Sequence, residues 1–220
     1  MLDEIHAKSF KDEGINSMYI PKHFLVEDHE QIFDFINNNA FGILFSNHNS
    51  SPYASHLPFY LDKEDGYLYS HFARPNEQWK DIEGQEVMVV FSGPHTYISS
   101  SWYETNQSVP TWNYVAVHVY GRIEIMNDQD EIITSLERLV QKYEEPNSTY
   151  KLNESNRLFV VGLSKGIVAF RMKIDKLEGK WKLSQNHSED RQRRVIERLE
   201  QSKYQDAKEI AELMRNNIKS

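Results

Sequence analysis

The sequence contains no cysteine among its 220 residues. This excludes disulfide bonds, thiolate nucleophiles, iron–sulfur clusters and zinc sites built on cysteine. It also fits a reducing compartment, so we expect a cytoplasmic protein. Long apolar runs are missing too, because the longest, 87–91 and 158–163, are far shorter than the ~18 residues of a membrane-spanning helix. The N-terminus is acidic and lacks the apolar segment of a signal peptide, so we expect no membrane partner.

Several common catalytic signatures are also missing. The sequence has no Gly-x-Gly-x-x-Gly, no Walker motif and no His-Glu-x-x-His. These absences argue against a Rossmann dinucleotide enzyme, a P-loop ATPase and a zincin. No pair of the nine histidines has the helical spacing of a metal site, so we expect no metal centre. His71, His95 and His118 are each either a structural histidine or a ligand of a metal or of a haem iron.

Charge and hydrophobicity limit the class of protein further. Asp and Glu number 33 against 25 Lys and Arg, so the formal net charge is −8. Such a chain binds DNA poorly without specificity, because attraction to phosphates supplies most of that affinity. The one basic cluster is a solvated helix face of mixed charge or a DNA contact, and it consists of Arg191, Arg193, Arg194 and Arg198. Hydrophobic residues make up 39%, enough for the core of one sizeable domain.

The hydrophobic pattern divides the chain into three parts. Residues 1–17 are polar and are predicted to form a leader or mobile arm. Residues 18–187 form the main domain, and residues 188–220 form a helical tail with apolar residues three and four apart. Within the domain we predict helices over 28–38 and 128–143, each preceded by an acidic cap. Predicted strands cover 41–46, 53–61, 67–71, 87–91, 96–99, 113–126, 158–163 and 167–174.

Many short strands with few helices indicate a mainly β protein of the α+β class. The expected architecture is a closed or partly closed antiparallel barrel with peripheral helices and a C-terminal helix. A doubly wound parallel sheet is disfavoured, because most strands between residues 41 and 99 follow one another without a helix-sized crossover.

Two polar clusters carry the strongest chemical signal. The first, Ser55-His-Leu-Pro-Phe59, lies in a predicted strand, and the second, residues 70–79, lies where a strand ends. In the second cluster Arg74 and Asn76 supply convergent donors, and arginine is the best planar partner of a phosphate or carboxylate. Backbone N–H groups of such a loop can point at the same anion. The alternative is an ordinary polar loop in which Trp79 closes the core.

Aromatic residues concentrate further along the chain. Residues 93–103 and 109–114 hold two tryptophans, including Trp112, and several tyrosines. They form an aromatic wall of a site, or else a core or subunit-interface patch, since Tyr and Trp favour interfaces. Residues 179–186 join the last predicted strand to the tail helix, whose N-terminus together with Lys182 would attract an anion.

Six motifs, in order, resemble the PaiB family. They are Met18-Tyr-Ile-Pro-Lys-His-Phe24, Ser55-His-Leu-Pro58, His71-x-Ala-Arg-x-Asn-x-Gln-Trp79, Gly93-Pro-His-x-Tyr-Ile-Ser99, Val109-Pro-Thr-Trp-Asn-Tyr114 and Lys182-Leu-Ser-Gln-Asn186. The resemblance runs from Met18 to about Leu199. Members of that family are described as FMN-binding proteins and negative transcriptional regulators, linked in bacilli to protease production and sporulation.

The resemblance implies an FMN-binding split barrel, the fold of pyridoxamine-phosphate oxidases and flavin reductases. In that fold two chains pair and flavin lies between them, so we expect FMN and a homodimer. By analogy with that fold, Arg74 contacts the phosphate, and Trp102, Trp112 and Asn113 approach from the partner chain. The implied cofactor-binding residues are Ser55, His56, Leu57, His71, Arg74, Asn76, Trp79, Trp112, Lys182 and Gln185.

Other functions stay open at this stage. One is an FMN-dependent oxidoreductase or a haem-handling enzyme of the same fold, for which no acid–base pair indicates a catalytic residue. Another is a barrel that kept the dimer and lost the cofactor. No helix-turn-helix pattern supports DNA as a direct partner. A regulator of this kind would act through a partner protein or a redox state.

Overall fold

The computed structural model describes residues 18–103 and 107–219, so the predicted leader at 1–17 lies outside the described residues. In the described part, eight strands form one sheet in which every neighbouring pair is antiparallel. The strands are β1 (Leu25–Val26), β2 (Phe41–His48), β3 (Ser51–Pro58), β4 (Tyr60–Asp62), β5 (Tyr67–Ala73), β6 (Glu86–Ile98), β7 (Thr111–Ile125) and β8 (Ile167–Lys182). Their order is β3-β2-β6-β7-β8-β5-β4, and β1 pairs with β8.

The two ends of this sheet are consecutive in the chain, which curls the sheet into a barrel. β3 ends at Pro58 and β4 starts at Tyr60, with only Phe59 between them. Across the gap, Ser70 Oγ on β5 donates to the Pro58 carbonyl at 2.7 Å. Among the described residues, no backbone ladder pairs β3 with β5, so the barrel is open at this point and a side-chain hydrogen bond spans the opening. The predicted split barrel is therefore confirmed, and we call this gap the β3–β5 seam.

Alternating side chains of the strands fill the barrel. On β7, Val115, Val117 and Val119 are buried while the residues between them are half exposed. This is the two-residue period of a sheet with one face on the core. Phe59 is fully buried at the seam, with its ring centroid 5.5 Å from that of Phe91.

Five helices in the described residues lie outside the barrel: α1 (His29–Asn38), α2 (Gln129–Tyr143), α3 (Arg157–Ser164), α4 (Glu189–Glu200) and α5 (Gln205–Lys219). Both predicted caps are confirmed. Asp28 Oδ1 accepts from the backbone N–H of Glu30 at 2.9 Å, and Asp128 Oδ1 from that of Glu131 at 2.9 Å. These bonds satisfy N–H groups that have no partner inside the helix.

Two predicted elements were wrong. Residues 158–163 form helix α3 instead of a strand, because six nearly continuous apolar residues fit either structure and local pattern cannot separate them. The predicted turn at 92–94, which separated strands 87–91 and 96–99, is a bulge inside the single strand β6. A β-bulge takes in extra residues while the ladder continues on both sides of it.

The predicted helical tail consists of two helices that pack on the barrel. Val195 and Leu199 of α4 and Ile210 and Met214 of α5 are buried in the same hydrophobic cluster as the strands. The Nδ2 of Asn113 on β7 lies 3.5 Å from the Met214 sulfur. The tail therefore shares the hydrophobic core of the barrel. The predicted boundary between residues 187 and 188 stays a prediction.

Candidate functional site

A chain of polar side chains crosses the seam at the end of β5. Asn76 Nδ2 donates to the Oγ of Ser55 at 2.8 Å, and Ser55 is buried on β3. Asn76 Oδ1 accepts from the backbone N–H of Gln78 at 3.0 Å, which caps the short 3-10 turn Glu77–Lys80. Two of the predicted site residues, Ser55 and Asn76, are therefore in direct contact.

Gln78 extends this network and is a site residue that the predicted set missed. Its side chain is fully buried, and its Nε2 donates to Ser46 Oγ at 2.9 Å. Its Oε1 is buried without a hydrogen-bond partner among the described residues. A buried acceptor without a hydrogen-bond partner is energetically costly. The Asn-x-Gln spacing in the second cluster was the available signal.

Arg74 lies just beyond β5, with its guanidinium held by backbone carbonyls. Its Nε donates to Lys165 O at 2.6 Å and its Nη2 to Ile167 O at 2.7 Å. The guanidinium lies over the Trp79 ring at 5.9 Å, and Trp79 Nε1 donates to Arg74 O at 2.9 Å. No carboxylate of the described residues pairs with Arg74. Its positive charge is therefore oriented and not neutralised, as an anion site requires.

His71 lies on the opposite face of β5 from Ser70. It borders an open cavity of about 400 Å³ between the strands, α2 and α3, which we call the helical pocket. Most of the wall is apolar: Pro58, Leu136, Leu139, Val140, Tyr143, Leu152, Phe159, Val160 and Leu163, with Tyr150 and Glu144 completing it. His71 Nδ1 is buried without a partner among the described residues. Burial lowers the pKa of His71, so the imidazole is neutral at pH 7.

The two remaining residues of the first cluster face opposite sides of β3. Leu57 is buried in the hydrophobic core, while His56 is exposed and its ring centroid lies 6.3 Å from that of Phe41. The structure therefore gives Leu57 a packing contact in the barrel wall, and leaves His56 beside an exposed aromatic ring.

The three predicted residues from the second half of the chain lie elsewhere. Lys182 Nζ donates to Thr111 Oγ1 at 2.6 Å and to the Trp112 carbonyl at 2.5 Å. Burial, with a smaller effect from Lys180, lowers the pKa of the Lys182 amine. Gln185 is used inside its own loop, where its Nε2 donates to Trp181 O at 2.6 Å.

The sheet register separates Trp112 from the seam. Ser55 pairs with Leu44, Leu44 with Val89, and Val89 with Val119. Trp112 lies seven residues from Val119 along β7, which corresponds to about 23 Å at the rise of a strand. Within one chain, Trp112 therefore does not reach the polar end of the seam.

The three histidines considered for haem also lie apart. His71 borders the helical pocket, His95 Nδ1 lies 3.5 Å from Asp206 on α5, and His118 is on the outer face of β7. Across residues 18–103 and 107–219, no three His, Asp or Glu side chains come together as a metal site requires. None of the helices in those ranges is long and apolar enough to cross a bilayer.

One Gly-x-Ser-x-Gly sequence is present, at Gly162, Ser164 and Gly166. In α/β-hydrolases this sequence forms a strand-to-helix turn with an exposed serine. Here Ser164 is the last residue of α3, is buried, and donates its hydroxyl to Val161 O at 3.0 Å. This context excludes a nucleophile of the hydrolase type.

Comparison with known proteins identifies the family of this chain. A family model described as "Putative FMN-binding domain" matches residues 18–176, which include the seam, Arg74 and His71. The chain belongs to this family. Within the FMN-binding family, it is 41% identical over 207 residues to the protease synthase and sporulation protein PAI 2 of Bacillus subtilis, which covers 92% of this chain and 99% of that protein. The predicted resemblance to PaiB proteins is confirmed.

Solved structures support the fold of this FMN-binding family member. A flavocytochrome from Azotobacter vinelandii matches with a TM-score of 0.58 at 13% identity, covering 74% of this chain and 72% of that one. A FAD and haem binding protein from Mycobacterium smegmatis matches with a TM-score of 0.53 at 13% identity, covering 76% and 78%. At such low identity these matches establish the barrel and carry no residue roles.

Proposed function

We propose that this protein binds FMN along the β3–β5 seam, with the phosphate at Arg74 and the flavin ring toward His71. One observation carries the proposal. A guanidinium without a carboxylate partner among the described residues and an unpartnered buried imidazole nitrogen lie three residues apart on one segment, about 10 Å along an extended chain. A phosphate fits the first, and a polar edge atom of the flavin ring fits the second, at the border of the helical pocket, which leaves the pocket itself open.

The chain's own residues would bind and orient the cofactor. Arg74 would hold the phosphate in a geometry already set by the carbonyls of Lys165 and Ile167. His71 Nδ1 has no partner among the described residues and His71 borders the helical pocket, so an edge atom of the flavin ring can partner it. FMN would supply electron transfer when bound, and the neutral His71 would add a hydrogen bond without placing a charge beside the ring.

A direct test compares FMN with riboflavin, which lacks the phosphate. Wild-type protein should bind FMN and quench its fluorescence, and FMN at ~100 times its dissociation constant should add about 2.7 kcal/mol to the free energy of unfolding. Arg74→Ala should weaken FMN binding by about 1.5–3 kcal/mol, since a hydrogen bond to a charged group contributes about that much. Riboflavin binding should change little.

The riboflavin arm distinguishes a phosphate contact from a structural role. If Arg74→Ala weakens both flavins equally, Arg74 only braces the carbonyls of Lys165 and Ile167. Arg122→Ala is the matched control, because Arg122 is exposed on β7 away from the seam and donates to Gly84 O at 3.3 Å. An unchanged melting temperature and unchanged fluorescence at saturating FMN would reject flavin binding.

We also propose that two copies pair over the outer face of β2 and the adjoining ends of β6 and β7. Phe41 and Phe45 of β2 and Trp112 of β7 are 65%, 36% and 51% exposed. A second copy would cover these rings and could bring its own Trp112 to the flavin, which the register within one chain does not allow.

Light scattering tests this pairing. A dimer should have a mass of about 52 kDa, twice the 26.0 kDa of one chain. Phe41→Asp should shift the mass toward 26.0 kDa and weaken FMN binding in parallel, because a buried unpaired charge is unfavourable at an interface. The same substitution at Phe159, which is on α3, should leave the mass unchanged. A wild-type mass of 26.0 kDa would contradict the pairing.

For the cell we propose the function of a negative regulator of transcription in protease production and sporulation. The name of the Bacillus subtilis relative supports the link to protease production and sporulation, and the negative sense of the regulation rests on the resemblance to the PaiB family. The charges favour action through a partner or a redox state over direct DNA binding. Arg193 pairs with Glu189, and Arg191 lies 5.9 Å over the Tyr103 ring, so the basic cluster is partly engaged inside the protein. The net charge of −8 would repel a duplex.

An FMN-dependent oxidoreductase is the second candidate. The helical pocket favours it, because about 400 Å³ lies next to His71 and offers room for a small molecule beside a flavin ring. Reduction of bound FMN by a nicotinamide donor would support the enzyme over the regulator. Loss of the visible absorption of FMN measures this reduction.

A further inference from the structure

We propose that the helical pocket binds an amphipathic organic cation, with the apolar part against α3 and the ammonium group at the C-terminal end of α2. The idea that this cation lies beside a bound flavin deepens the proposed function and rests on it. The pocket's ability to bind the cation is a property of the chain itself and is tested separately below.

The first observation is the shape and lining of the groove. A second cavity of about 300 Å³ adjoins the helical pocket, and the two share the wall residues Val140, Glu144, Tyr150 and Leu152. Together they form one groove, whose apolar end includes His71. Ligand sites are typically 300–1,000 Å³ and mostly apolar with a few polar groups, which matches this groove.

The second observation is the distribution of charge. The apolar cavity has one charged residue, Glu144, on its wall. The adjoining cavity carries three carboxylates, Glu137, Glu144 and Glu145, against the single ammonium of Lys151. The polar end therefore has an excess of negative charge, which disfavours fatty acids and phosphates and favours a cation.

The third observation is the position of this end relative to α2. The helix ends at Tyr143 with Glu144 as its C-cap, so the negative end of the helix dipole faces the groove beside these carboxylates. A C-terminal dipole and a carboxylate both favour a cation. The two effects come from independent features of the same groove and have the same sign.

Exposed apolar side chains favour binding of a ligand at the apolar end of the groove. Phe159 and Leu163 of α3 and Tyr143 of α2 are 69%, 61% and 57% exposed, although all three line the cavity. An apolar group seated among them would remove this surface from water. A molecule with an aromatic or aliphatic body and one ammonium group satisfies both ends of the groove.

Calorimetry with three matched probes tests the inference on flavin-free protein and on protein saturated with FMN. The probes are 4-phenylbutylammonium, 4-phenylbutanol and 4-phenylbutyrate, which share a body and differ in charge. We expect the ammonium to bind flavin-free protein about tenfold more tightly than the alcohol, and the carboxylate to bind most weakly. Equal affinity of the three probes, or no binding, would overturn the proposal.

Two variants locate the two ends. Glu144→Gln should lower the affinity for the ammonium about fivefold and leave the alcohol unchanged, with Glu131→Gln near the start of α2 as its control. Phe159→Ala should lower the affinity for both probes about fivefold. Leu158→Ala is its control, since Leu158 is 88% exposed on the same helix and does not line the groove. Equal losses in a variant and its control would place the ligand elsewhere.

The two flavin states separate this inference from the proposed function. If the protein fails to bind FMN but still prefers the ammonium probe, the pocket is right and the flavin site is wrong. If FMN binds and the preference for the ammonium probe is absent, the flavin site is right and the proposed cation site is wrong. If both hold, saturating 4-phenylbutylammonium should change the fluorescence of bound FMN, and Glu144→Gln should reduce that change.

Discussion

Replacing Gly121 with alanine is expected to lower the free energy of unfolding by about 3 kcal/mol, the upper part of the usual cost of overpacking. A Cβ on Gly121 would lie 1.9 Å from the carbonyl oxygen of Lys173, which is backbone and cannot rotate away. The clash falls where β7 and β8 shift register between Tyr120 and Gly121 and place Asp175 as an extra residue on β8. β8 would have to move away from β7 at the centre of the sheet.

Urea unfolding with Gly162→Ala as a matched control measures this effect. Gly162 lies in α3, and a Cβ there meets nothing within 4 Å. The same chemical change should therefore raise stability by about 0.5–1 kcal/mol, the helix preference for alanine over glycine. A Gly121→Ala midpoint within error of wild type would show that β7 and β8 can separate at little cost.

Phe59→Ala is expected to cost about 4 kcal/mol, within the range for deleting a buried phenyl ring. The ring is fully buried, and its centroid lies 5.5 Å from that of Phe91 and 6.3 Å from that of Phe170. It joins β3 to β4, the two ends of the sheet, so the cavity would open at the seam. We expect FMN binding to be lost together with stability. The reason is that Ser55 and Pro58, which border the proposed FMN site, lie on β3, the strand that ends next to Phe59.

Phe159→Ala serves as the control for this prediction. Phe159 is 69% exposed, so its removal should change the free energy of unfolding by no more than about 0.5 kcal/mol. Phe59→Leu keeps most of the apolar volume and should cost about 1.5 kcal/mol. A Phe59→Ala variant that unfolds at the wild-type midpoint would mean that the barrel is not closed by this residue.

Elements with a local cause were predictable from the sequence. Asp28 and Asp128 start their helices because a carboxylate can accept from N–H groups two and three residues later. The alternation along β7 was visible because every second residue from Asn113 to Ile123 is buried. Helix α3 was not predictable, since its apolar run has no period and only its place beside α2 selects a helix.

Some features of the candidate site were also predictable from the sequence, and others were not. Arg74 and Asn76 stood out as donors in one strand-end loop, and the structure joins Asn76 to Ser55 across the seam. The alternation of a strand puts Ser70 and His71 on opposite faces, yet which face borders a cavity depends on α2 and α3. Gln185 was indistinguishable by sequence from a ligand-binding amide, although its side chain serves its own loop.

The amino-acid sequence alone determined the strand-rich class, the starts of α1 and α2 and the family, because these depend on neighbouring residues or on motif order. The tertiary structure decided where Arg74 points and what faces His71. Arg74 meets Lys165 across 91 residues of chain, and such a contact arises only when strands 67–73 and 167–182 pair. Local preferences do not encode that pairing, since it depends on burial of the whole barrel face.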